Sequence, residues 1–170
     1  MDTHINSKEA ENLISVQEGR KALFANAAEL ILEAYNRAEM LGKVNTQFSG
    51  HHNFELLKSI LSLTDNFMEE NLKLLNENII DDTKHLISLK EKFDKEINVF
   101  HNMQLLIHNI DPDSKIIADL MDKKLVDHVL CITLKKCIEQ LKSCEISMKN
   151  ARSEIEAKIS YLSNSKNKAA

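Results

Sequence analysis

Glycine and proline are nearly missing from this chain of 170 residues, with three Gly and one Pro. Average usage would give roughly twelve Gly and eight Pro at this length. Strands need turns, and turns draw on Gly, Pro, Asn and Asp. Asn and Asp are plentiful here but sit inside long periodic stretches. An all-β or α/β fold is therefore a poor fit. Aromatics are also few, at six Phe, two Tyr and no Trp, so Leu, Ile, Val, Ala and Met must build the core. Arginine is limited to Arg20, Arg37 and Arg152, and the net charge is −4. Arg is the preferred residue for bidentate phosphate and base contacts, so nucleic acid is not an expected partner.

Long apolar runs are missing too. Nothing approaches 18 residues, so no transmembrane helix is expected and a membrane partner is disfavoured. The start, Met1-Asp2-Thr3-His4, lacks the basic-then-apolar layout of a signal peptide. Cys131, Cys137 and Cys144 are spaced by six and seven. On one helix such steps are about 9–10 Å, too far for a disulfide. They read as reduced thiols in a cytoplasmic protein, with secretion by a route without a cleaved signal left open.

What is present is hydrophobic periodicity. About 43% of the chain is hydrophobic, enough for one domain with a real core. Residues 1–6 are expected to be loose, and Ser7 can cap a first helix over 7–41. Leu23, Ala27, Leu30, Ala34, Ala38 and Leu41 recur at steps of three and four. Within 22–35 the polar residues Asn26, Glu29 and Glu33 form one narrow stripe, and all else is apolar. Such a helix needs two or more neighbours to cover it. Gly42 reads as a helix stop, followed by a loop to about residue 52.

No Gly or Pro occurs from 53 to 109. This stretch predicts helices over 53–79 and 83–109, joined at a polar weak point at 76–83, or else one continuous rod. Asp81 or Asp82 can cap the second of them. Asp111-Pro112-Asp113 reads as the firmest boundary, with Asp111 as cap and Pro112 at the first helical position. A last helix over 112–162 follows, with residues 164–170 expected to be frayed. Leu141, Met148, Ile155 and Leu162 are spaced by seven, a coiled-coil seam interrupted by Glu145 and Arg152. Residues 51–110 hold six Lys and ten acids, and residues 111–170 hold eleven Lys/Arg and nine acids. The opposite balance modestly favours laying these segments antiparallel.

Chemistry is thinly represented. No two of the seven histidines share the i, i+3 or i+4 spacing that one metal needs, and the Glu-x-x-His of di-iron bundles is absent. His85, with Leu86 and Lys90, is similar to the histidine of phosphotransfer bundles. However, Ile87, Ser88 and Leu89 fill the region where those bundles keep small residues. The cysteines read as core packing, since Lys neighbours alone do not make a reactive thiol. Phosphate loops and nucleophile elbows need Gly that the chain lacks.

The expected architecture is all-α: an elongated antiparallel bundle or coiled coil of three or four long helices. The expected function is non-enzymatic, with no metal or cofactor. The chain would serve as a scaffold, adaptor or assembly subunit that binds a helical protein partner or another copy of itself. The expected interface is Leu23, Ala27, Leu30, Ile31 and Ala34 on the first helix, and Leu141, Met148, Ile155 and Leu162 on the last. A secreted bacterial translocator, effector or toxin component is the alternative, motivated by Lys/Ile/Asn-rich usage. A bundle enzyme or metal carrier is a further one.

Overall fold

Helix caps, more than turn residues, divide the chain. A computed structural model describes the backbone of residues 3–48 and 50–169, and the side chains of 16–48 and 50–165. Helix α1 spans Thr3–Val44, α2 His52–Leu75, α3 Thr83–Ile107, α4 Lys115–Asp122 and α5 His128–Ala169. Single turns of 3-10 helix occupy Thr46–Phe48 and His108–Ile110. No strand occurs among the described residues, and no helix there is long and apolar enough to cross a membrane.

The weak point at 76–83 is a true break. Asp82 opens α3, its side chain accepting from the His85 N–H at 3.1 Å. The helix before it ends at Leu75 rather than 79. The third helix starts at Thr83 as expected but ends at Ile107 rather than 109, where the 3-10 turn His108–Ile110 takes over. The outermost limits shift outward, with residues 3–6 lying in α1 and 164–169 in α5, while residues 1–2 and 170 fall outside the described residues.

Two expectations are corrected. Gly42 does not stop α1, which continues to Val44. It instead makes room for the Phe54 ring of α2, whose Cζ would lie 2.7 Å from a Cβ added there. Pro112 does not begin a helix either. Residues 111–114 form a turn closed by Ser114 N–H donating to the Asp111 carbonyl at 2.8 Å, and Ser114 is the cap of α4. The helix expected over 112–162 is two helices. Lys124 adopts a left-handed conformation (φ 58°) after α4. The Lys124 and Leu125 N–H groups donate back to the Met121 and Leu120 carbonyls, the bond pattern of a Schellman stop.

The four long helices pack antiparallel around one core. α1 packs on α2 and α5, and α3 packs on α5 and α2, so the ring closes between the first and last helices. Cross-links fix the direction. Arg20 near the start of the described part of α1 pairs with Glu154 late in α5, whereas Arg37 near the end of α1 pairs with Asp127 before α5. Gln104 of α3 donates to Glu145 of α5 at 2.9 Å, and Arg152 of α5 bonds to Asp94 of α3. Of the segment before residue 110, α3 thus lies antiparallel to α5, whereas α2, antiparallel to α1, runs parallel to α5. At the centre, Phe100 of α3 sits edge-on to Phe67 of α2 and to Phe24 of α1, with ring centroids 4.5 and 6.1 Å away. Asn71 is fully buried nearby. Its amide donates to the Phe67 carbonyl at 2.8 Å and reaches Glu96 at 3.4 Å, leaving its oxygen without a partner. Burial pushes the Glu96 carboxyl above its ordinary range.

Candidate functional site

The helices that build the ring are unequal. α1 and α5 have 42 residues each, α2 has 24 and α3 has 25. At the Arg37 end all four finish together, closed by α4. At the other end α2 and α3 stop and are joined by residues 76–82, while α1 and α5 continue. The step between the short pair and the long pair forms a cavity of ≈ 310 Å³.

Its floor is apolar: Leu74 and Leu75 from α2, Leu89 and Phe93 from α3, and Ala151 and Ile155 from α5. Its rim is polar and tied down by ion pairs. Arg20 forms a two-pronged bond to Glu154 at 2.6 and 3.0 Å. Lys92 holds Glu77 of the connection at 3.0 Å, and Lys158 reaches Asp81 at 3.5 Å. His85 Nε2 lies 2.9 Å from the Asn78 carbonyl, an interaction that braces the connection from below. The histidine weighed above for phosphotransfer therefore has a structural contact of its own.

An apolar floor with a fixed polar rim can grip side chains from a partner. The lining holds no nucleophile paired with a base, and its volume is at the low end of the ~300–1,000 Å³ of small-molecule pockets. Among the described residues no group of three or more His, Cys, Asp or Glu could hold a metal ion.

Most of the residues expected to meet a partner are packed inside the chain. Ala27, Ile31 and Ala34 are buried where α1 meets its neighbours, and Leu23 and Leu30 are half-buried against the same core. Leu141, Met148 and Ile155 are buried as well, and Leu162 is half-buried. Eight of these nine residues lie within the four-helix part; Leu162 alone lies beyond the step, and Ile155 also lines the cavity. The rest of the seam is occupied by the chain's own helices. Arg20, Leu89, Phe93 and Lys158 escaped the sequence reading. Leu89 and Phe93 are one helical turn apart on α3, but no spacing relates them to Arg20 or Lys158, and only the packing of helices of different length brings the four together.

The second polar cluster, at the closed end, is a clamp. Asp119 of α4 accepts from Lys123 at 2.6 Å and from Asn53 of α2 at 3.0 Å. These bonds, Lys123 first, hold the Asp119 carboxyl below its usual range. His51 caps α2 through Nδ1, and its Nε2 lies 2.8 Å from Lys123 Nζ.

The three cysteines are all buried and free. Burial pushes the Cys137 and Cys144 thiols up to about 12. Thiolate is the reactive form, so these two should resist a thiol reagent in the folded chain at any pH up to about 9. Labelling followed by mass spectrometry checks this. Rapid modification of Cys137 or Cys144 without denaturant would contradict the packing described.

Comparison with models of protein families, with curated proteins and with solved structures finds no match to this chain.

Proposed function

We propose that the chain is a non-enzymatic interaction protein, a scaffold, adaptor or assembly subunit that works by helix-to-helix packing. The supporting observation is the step. α1 and α5 run past the connection between α2 and α3, and the apolar cavity lies at the foot of that extension. A helical partner laid along the extension would set apolar side chains into the cavity, and the charged rim would favour one orientation. This reading includes the elongated bundle suggested by helix lengths of 42 residues. It also sets the chain in the cytoplasm, where its three free thiols stay reduced.

Photo-cross-linking tests the proposal. A benzophenone amino acid at Gln17 or Asn78, both on the cavity rim, should yield a covalent protein adduct heavier than the 19.4 kDa chain in cells that make it. The same group at Ile146, exposed on the side of α5 within the four-helix part, should yield none. Absence of an adduct at both rim positions would rule out the step as a docking site.

A further inference from the structure

Of the four walls of the ring, the one between α2 and α3 has the sparsest contact, and it contains a polar pair. The inward face of α2 is apolar except for Thr64 and Asn71, both 0% exposed. The Thr64 hydroxyl donates to the Ile60 carbonyl at 2.7 Å and is satisfied. Asn71 is only half satisfied. The Phe67 carbonyl can only accept, so the Asn71 nitrogen must face it, which fixes the way the amide points. The Asn71 oxygen is then left with no donor in the chain. Glu96 reaches the same amide from α3, its carboxyl 3.4 Å from the nitrogen.

We propose that Asn71 and Glu96 form a proton-operated latch between α2 and α3. It closes when the Glu96 carboxyl takes a proton from solvent and donates that O–H to Asn71 Oδ1, and it slackens when the carboxyl gives the proton back. An ionised carboxyl has only acceptors, so it offers an orphaned oxygen nothing. Its one link is a long bond to a nitrogen already committed to Phe67 at 2.8 Å. A neutral carboxyl carries a donor, which is what the buried oxygen lacks.

The surroundings of Glu96 support the neutral form. Burial comes first, and Glu70 of α2 adds a like charge, against the opposing pull of Lys95 on its own helix. Glu70 is itself paired with Lys73, and Lys92, one turn before Glu96, is engaged with Glu77. α5, the other long helix packed on α3, adds no charge that acts on this carboxyl, and its Arg152 is paired with Asp94. Glu96 is half-buried, so its proton can still exchange with water. The pair sits one turn beneath the cavity floor, with Asn71 three residues before Leu74 and Glu96 three after Phe93. It therefore sets how firmly the two short helices hold together where the step begins. Because burial holds the carboxyl above its unfolded value of about 4.3, the latch contributes fully below that value. The contribution fades as pH rises through the folded value.

Carboxyl NMR of the full chain, with the Glu96 signal identified by its loss in Glu96→Gln, tests the latch. Asn71→Leu replaces the amide by methyl groups of the same branching and removes the orphaned oxygen. Glu96 should then bind its proton about threefold more weakly than in the parent, within the ordinary worth of one hydrogen bond. A carboxylate that merely accepted from the Asn71 nitrogen would bind its proton more tightly once the amide was gone. An unchanged or tighter proton in Asn71→Leu therefore overturns the proposal. Glu96→Gln gives a second reading that does not depend on Asn71→Leu folding. Its side-chain amide can donate to the Asn71 oxygen at every pH. This variant should resist urea better than the parent at pH 7, and the gap should close by about pH 4, where the parent carboxyl is neutral. Asp65, also held above its ordinary range by burial and by Glu69, titrates in both chains and cancels in the comparison. The introduced amide protons should exchange slowly with solvent. A variant less stable than the parent at pH 7, or amide protons that exchange freely, overturns the latch.

Discussion

Phe100→Ala is expected to cost about 3–5 kcal/mol, the usual range for removing a buried Phe. Phe100 is 0% exposed and is the ring at which three helices meet. Its loss opens a hole between Phe24 and Phe67, which belong to different helices and cannot both move in without dragging their backbones. Small domains have about 5–15 kcal/mol in total, so the variant sacrifices a large share of its stability. Urea unfolding followed by far-ultraviolet circular dichroism reads the effect as a lower midpoint with an unchanged slope. Phe100→Leu keeps most of the volume and should lose clearly less. If alanine costs under about 1 kcal/mol, the ring is not the centre of the core.

Asp127→Ala is expected to cost about 2 kcal/mol, because two functions end together. The Asp127 carboxylate accepts from the Leu130 N–H at 2.8 Å, capping α5. It also accepts a fork from Arg37, at 2.5 Å from Nη2 and 3.0 Å from Nε. About a third of each side chain is exposed, so solvent screens the ion pair and the cap contributes much of the effect. Asp127→Asn retains a good cap and should recover roughly half. The acid dependence has a definite sign. The Arg37 hydrogen bonds hold the Asp127 carboxyl below its ordinary value, outweighing the opposing push of burial. Its contribution is therefore complete above the unfolded value of about 3.9 and fades as pH falls through the lower folded value. The stability gap between parent and Asp127→Ala should hold from neutrality to about pH 5 and close in stronger acid. A gap that widened on acidification would contradict this.

The helical class was legible because so little Gly and Pro leaves little material for other folds. The break before α3 was legible for a positive reason, since Asp82 is a standard cap in a polar stretch. The error at Pro112 is equally instructive. Proline suits the first turn of a helix and the second position of a tight turn alike, and only the bond from Ser114 to Asp111 decides between them. The stop after α4 carried no flag, because Lys124 holds the left-handed position where Gly is usual. Asp127 was a readable cap for α5 but lay inside a long periodic stretch. Residues 22–35 were correctly read as needing cover from several sides, and α2 and α5 supply it. The apolar seams themselves were visible, whereas the identity of what covers them was not. A buried seam and a docking seam have the same spacing in sequence. Relative helix length separates them, and that is a property of the packed ring.

The closure of that ring between its first and last helices also sets the order in which the protein can be completed during synthesis. Arg20 and Glu154 are partners separated by 134 residues. α1, α2 and α3 leave the ribosome before any of α5, which forms the wall shared by α1 and α3. At ordinary elongation speeds the 42 residues of α5 take roughly 2–8 s to appear. For that interval the nascent chain holds a three-sided apolar trough open to its surroundings. The hazard of misassembly is concentrated in those seconds, and it would be reduced by a chaperone that covers the trough or by faster translation of the codons for α5.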